Sequence, residues 1–104
     1  MNWSQVAKDL LTISEWPWKA RIQLLPDVID KHTSTVANIY GTDEDASFIA
    51  AAPRLLAEAL VEAVWEQAGF MIAFAPGNMP DVAGALNHMG ITGSDYAEIK
   101  RRLG

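Results

Sequence analysis

The residues whose types and spacing invite chemistry are few, and most of them are carboxylates. Glu58, Glu62 and Glu66 recur every four positions, which stacks them in one row on a helix at roughly 6 Å intervals. Such a row imitates a phosphate backbone, and a groove that normally binds nucleic acid on another protein would accept it. The same spacing also suits a solvated helix face, although like charges four apart are mildly destabilising and Arg54 relieves only the first. Asp43, Glu44 and Asp45 supply several oxygens, the donor type a hard divalent cation takes. Their place just after Thr42 fits a helix start better, where carboxylates favour the dipole and close a capping box. No metal is expected there.

The two histidines, His32 and His88, stand in no zinc-ligand spacing and beside no serine nucleophile elbow. The chain has no cysteine and no glycine-rich phosphate loop, so thiolate chemistry is excluded and no cofactor motif is present. Catalysis is therefore not expected, and the chain reads as a binding protein. Four tryptophans, Trp3, Trp16, Trp18 and Trp65, are a heavy load for 104 residues. Tryptophan is favoured at binding hot spots, which makes Trp16 and Trp18 candidate contact residues beside the glutamate row. The competing role is to fill the space between sheet and helix.

These residues need elements to position them. Trp3, Val6, Ala7, Leu10 and Leu11 recur at helical spacing and predict a short helix over Ser4–Thr12. Pro17 interrupts it. Apolar and polar residues then alternate from Trp18 to Leu24, which predicts a strand with Trp18, Ala20, Ile22 and Leu24 on one face. Asp27–Asp30 and Thr35–Tyr40 complete an antiparallel meander of two or three strands. A helix capped by Thr42 is expected to run to Pro53, which opens the first turn of a second helix reaching Gly69.

Leu56, Leu60, Val64 and Trp65, widened by Leu55 and Val61, form the stripe expected to cover the sheet. The run from Phe70 to Ala75 suits either a helical extension or a last strand. After Pro80, Val82, Ala85, Leu86 and Met89 predict a helix ending at Gly90, and Ser94 is the expected cap of a last helix through Tyr96, Ile99 and Leu103. The fold class is α+β in a single domain over residues 1–104: a short N-terminal helix, a meander, a long helix packed on the sheet and a C-terminal helical pair.

The stretch Glu44-Asp45-Ala46-Ser47-Phe48-Ile49-Ala50-Ala51-Ala52-Pro53-Arg54-Leu55-Leu56 is similar to a signature of small phage and prophage proteins, in which isoleucine, three alanines, proline, any residue and two leucines open a helix. Many of these proteins also carry a Pro-Trp followed by short strands, as at Pro17-Trp18 here. The resemblance covers about half the chain. This sequence departs from it in having Ala46-Ser47-Phe48 where an asparagine-alanine-arginine lead-in is usual, and the tail from Phe70 onward has no counterpart. The resemblance implies a phage or prophage origin and a strand-then-helix fold, and it brings no catalytic or binding residues.

Half the residues are hydrophobic and a fifth are charged, a globular balance. A net charge of −5 opposes generic binding to nucleic acid, whose affinity comes from lysines and arginines that release counterions. The start of the chain does not resemble a signal peptide and no apolar run reaches the length of a membrane span, so a cytoplasmic location in a bacterial host is expected. The expected function is that of a phage accessory protein binding a host or phage protein, with inhibition of a nucleic-acid-handling or defence system as its outcome. Two alternatives follow from other features: a small-ligand pocket lined by Trp65, Phe70 and Phe74, and a helix-turn-helix regulator built from the last two helices. In the second, Asp95 and Glu98 would face the phosphates. The apolar segment from Leu55 to Ala75 also leaves homodimerisation open.

Overall fold

The computed structural model describes residues 1–71 and 80–104. The elements are α1 (Trp3–Thr12), β1 (Lys19–Arg21), β2 (Asp27–Ile29), β3 (Thr35–Asn38), α2 (Asp43–Met71), α3 (Val82–Met89) and α4 (Gly93–Leu103), an α+β fold. Residues Thr12–Leu56 cluster as one compact unit, here the sheet unit. Met1–Leu11 with Ala57–Gly104 cluster as a second, the helical unit. Among the described residues no helix is long and apolar enough to cross a membrane.

In the sheet unit the three strands pair antiparallel in the order β1-β2-β3. Lys19 stands opposite Ile29 and Arg21 opposite Asp27, and the β2–β3 register slips by one residue between Val28 and Ile29. The apolar alternation predicts β1 as far as Leu24, but the strand stops at Arg21, leaving Ile22 and Leu24 exposed. The reason is the partner strand. Residues 22–26 are needed to turn the chain, and Pro26, just before β2, has no amide to offer a longer ladder.

Across that turn Arg21 grips Asp27 with both ends of its guanidinium: Nε donates to Oδ1 at 2.8 Å and a terminal nitrogen donates to Oδ2. Asp27 is only 3% exposed, so this fork supplies the counter-charge its burial requires. The β2–β3 turn is tied by Asp30, whose Oδ1 accepts from the amides of His32 and Ser34, with Thr33 at a φ of 67°. The Lys31 amide in turn donates to the Glu15 carbonyl, joining this turn to the segment before β1.

The capping box at α2 forms as expected. The Thr42 amide donates to Asp45 Oδ2 at 2.9 Å and the Asp45 amide donates to Thr42 Oγ1 at 3.2 Å. A side chain on Gly41 would overlap the Asp45 carboxylate, so the box needs glycine there.

Two expectations about this helix are corrected. Instead of breaking at Pro53, α2 runs unbroken for 29 residues with the proline inside. Interior proline costs about 3 kcal/mol, and the cost is met because Ala46, Ala50, Pro53, Ala57, Leu60, Val64 and Ala68 form one buried row at three- and four-residue steps. The stripe that covers the sheet is also different. Ala46 and Ala50 pack with Val28 and Ile39, joined by Trp18, Ala20, Val36 and Ala37. Leu55, Leu56 and Trp65, assigned to the sheet by sequence, are exposed instead.

In the helical unit the buried side chains are Ala7 and Leu10 of α1, Ala57, Leu60, Val64 and Ala68 of α2, Ala85 and Leu86 of α3, Ile91, and Tyr96 and Ile99 of α4. Ser4 Oγ donates to the Gly90 carbonyl at 3.1 Å, and Arg102 donates to the Leu10 carbonyl at 3.3 Å, fastening both ends of α1. Asp81 caps α3 by accepting from the Gly84 amide, and Gly90 ends that helix at a φ of 73°. The cap of α4 is Thr92, which accepts from the Asp95 amide, rather than Ser94. Of the ambiguous run 70–75, Phe70 and Met71 belong to α2 and the remainder lies outside the described residues.

Two expected outcomes follow from the sheet unit. Ala46→Leu should destabilise it by about 1–3 kcal/mol through overpacking, whereas Phe48→Ser on the opposite side of α2 should stay within about 0.5 kcal/mol, both read from urea unfolding followed by circular dichroism. The second concerns acid. The Arg21 hydrogen bonds hold Asp27 below the ordinary carboxylate range, so their stabilisation is complete above roughly pH 4 and drains away as pH falls through the depressed value. The urea midpoint of Asp27→Asn should accordingly fall less between pH 5 and pH 2, taken as rough bounds of that window, than that of the parent chain.

Candidate functional site

The three glutamates of the predicted row all lie exposed on the second half of α2, within the helical unit. Their order comes from the helix alone. A step of four residues advances about 6 Å and rotates the side chain by only about 40°, so the carboxylates form a gently winding line. Glu66 also reaches an open groove of about 570 Å³ in the same unit, shared with Trp3, Phe70, His88 and Met89. Its lining is mixed, with Trp3, Phe70 and Met89 beside Asn2, Glu66, Gln67 and His88, and Glu66 with the two aromatic rings could receive a small organic cation.

The tryptophan candidates separate. Trp16 is 1% exposed and is an interior residue, which corrects its assignment as a contact residue. Trp18 is half-buried and its indole nitrogen donates to the Ser14 carbonyl at 2.9 Å, fixing the ring. The most accessible of the described tryptophans is Trp65, at 48%, on the outer side of α2. Sequence periodicity placed it inside because tryptophan next to Val64 reads as part of an apolar stripe.

The feature that sequence reasoning missed lies on α2 within the sheet unit. Phe48 is 74% exposed and Leu55 is 53% exposed, with Ile49 and Leu56 also open. At 100° per residue these four fall within about one third of the helix circumference, on the side away from Ala46 and Ala50. In this stretch the helix thus buries Ala46 and Ala50 and presents its large apolar residues. Clustered apolar exposure of this kind marks an interaction surface more often than scattered single residues do.

A third surface feature of the sheet unit is a groove of about 370 Å³ lined by Pro17, Trp18, Lys19 and Ala20 on one side and by Ser47, Ala50, Ala51 and Arg54 on the other. Pro17-Trp18 and the Ala50-Ala51 stretch of α2, far apart in sequence, therefore meet at one place.

Several other titratable residues are engaged locally. Glu15 Oε2 is hydrogen-bonded to His32 Nε2, and Glu15 lies 3.9 Å from the Lys31 ammonium. Among the described residues no three acidic or histidine side chains assemble as a metal site. In α4, Arg101 and Arg102 both bond to Glu98, and those hydrogen bonds lower its pKa to about 2. Lys100 lies over the Tyr96 ring at 5.4 Å from its centre. The basic end of α4 is thus engaged by Glu98 and Tyr96 of its own helix and by the Leu10 carbonyl of α1.

Compared with protein-family models, with curated protein sequences and with solved structures, the chain matches none of them.

Proposed function

We propose that the chain is a phage-encoded accessory protein that binds a host or phage protein, without turnover, through the outer side of α2 in the sheet unit. The observation that carries this is the inverted size order of α2 within the sheet unit: Ala46 and Ala50 are buried while Phe48, Ile49, Leu55 and Leu56 face outward. Covering Phe48 alone would contribute about 2 kcal/mol, enough for a hot spot at the centre of an interface. The resemblance of this same stretch to phage and prophage proteins supports the assignment of source. The Glu58, Glu62 and Glu66 row supports a partner class, a nucleic-acid-handling or defence protein with a phosphate-accepting groove, because carboxylates at this spacing present a similar line of negative charge.

Affinity capture from bacterial lysate, followed by calorimetry with the purified partner, tests this. Phe48→Ser and Leu55→Ser are expected to weaken binding roughly tenfold each without lowering the melting temperature. Equal binding by parent and variants would overturn the assignment of the face. Light scattering on the isolated chain distinguishes a second copy as the occupant, since a dimer dispersed by Phe48→Ser would give the face to self-association.

A second reading rests on the groove of the helical unit, where Glu66, Trp3 and Phe70 converge. It predicts a thermal shift with small organic cations such as tetramethylammonium that Glu66→Gln abolishes.

A further inference from the structure

We propose that the groove between β1 and α2 takes an extended peptide as a fourth strand of the sheet, with one acidic side chain of that peptide held by Lys19. This site is separate from the outer face of α2 and does not depend on it.

The geometry supplies both walls. No residue of β2 or β3 lines the groove, so it opens on the outer edge of β1. In the order β1-β2-β3 that edge has no strand partner among the described residues, and an edge strand presents main-chain donors and acceptors ready for pairing. Opposite it, α2 offers Ala50 and Ala51, whose short side chains leave room for another backbone. The helix wall from Ser47 to Arg54 is about 10 Å long, and β1 spans about the same distance. Three or four residues of an added strand therefore fit.

Charge chooses the occupant. Lys19 makes no ion pair among the described residues, whereas Arg54 at the helix wall has a partner of its own. In a chain of net charge −5 this is a local positive site, and charges beyond about 8 Å are largely screened at physiological salt. Side chains of an added strand alternate between faces. Those turned toward α2 would meet Trp18, Ala50 and Ala51 and should be apolar, while one on the other face lies beside Lys19 and should be acidic. Asp43 stands one turn before Ser47 on the same side of the helix, so a single acidic residue suits the site better than an acidic run.

The test is a two-dimensional amide NMR titration of the full chain with a short blocked peptide alternating valine and threonine around one central glutamate, and with its lysine counterpart. Saturable shifts at Lys19, Ala20, Arg21, Ser47 and Ala51 are expected for the glutamate peptide, with roughly tenfold weaker binding of the lysine peptide. Lys19→Glu should reverse that preference, and Ala51→Trp, which fills the groove from an exposed helix position, should abolish both. Absence of shifts at Lys19–Arg21 at millimolar peptide, equal response to the two peptides, or the same shifts with sodium acetate alone would each overturn the proposal. Shifts confined to Phe48 and Leu55 would also overturn it while leaving docking on the outer face intact.

Discussion

The contact on which the sheet unit depends is the close approach of α2 to the meander through Ala46 and Ala50. Only a short side chain lets a helix lie against Val28 and Ile39 with Ala20 and Ala37 beneath it, and that helix face is therefore committed to small residues. Large apolar side chains in the same stretch have nowhere to go but outward. The exposed face of Phe48, Ile49, Leu55 and Leu56 and the alanine wall of the β1 groove are two consequences of one packing choice. Both candidate surfaces of this unit thus descend from the same few alanines.

The second constraint is the unbroken course of α2 through Pro53. A proline inside a helix removes one hydrogen bond and crowds the preceding turn, which is why it reads as a boundary. Here the buried row continues through it at positions 46, 50, 53, 57, 60, 64 and 68. Those three- and four-residue steps were visible in the sequence, but alanines carry too little hydrophobic signal to outweigh the proline. Leu60 and Val64 of the expected apolar stripe do lie in that row, but Leu55, Leu56 and Trp65 widened the stripe toward the exposed side of the helix for the same reason.

Charge is handled locally throughout. Arg21 supplies the counter-charge for the buried Asp27, Glu15 serves the β2–β3 turn, and Glu98 gathers the two arginines at the end of α4. Each arrangement satisfies groups within one unit and leaves few cations open. Lys19 beside the β1 edge and the line of Glu58, Glu62 and Glu66 then stand out as charge that internal pairing does not explain in full, although Glu58 has contacts of its own.

What the sequence by itself determined is the local structure: the capping box of Thr42 and Asp45, the stop at Gly90, an antiparallel meander of two or three strands and the exposed glutamate row. Each depends on neighbours within a few residues, where propensity and hydrogen-bonding chemistry act directly. Tertiary structure alone decided that β1 ends at Arg21, that Trp16 is interior and Trp65 is not, and that Pro17-Trp18 meets Ala50-Ala51 across a groove. Those outcomes hinge on which long-range partner a residue finds, and a side chain's type states how strongly it prefers burial without stating which neighbour will bury it.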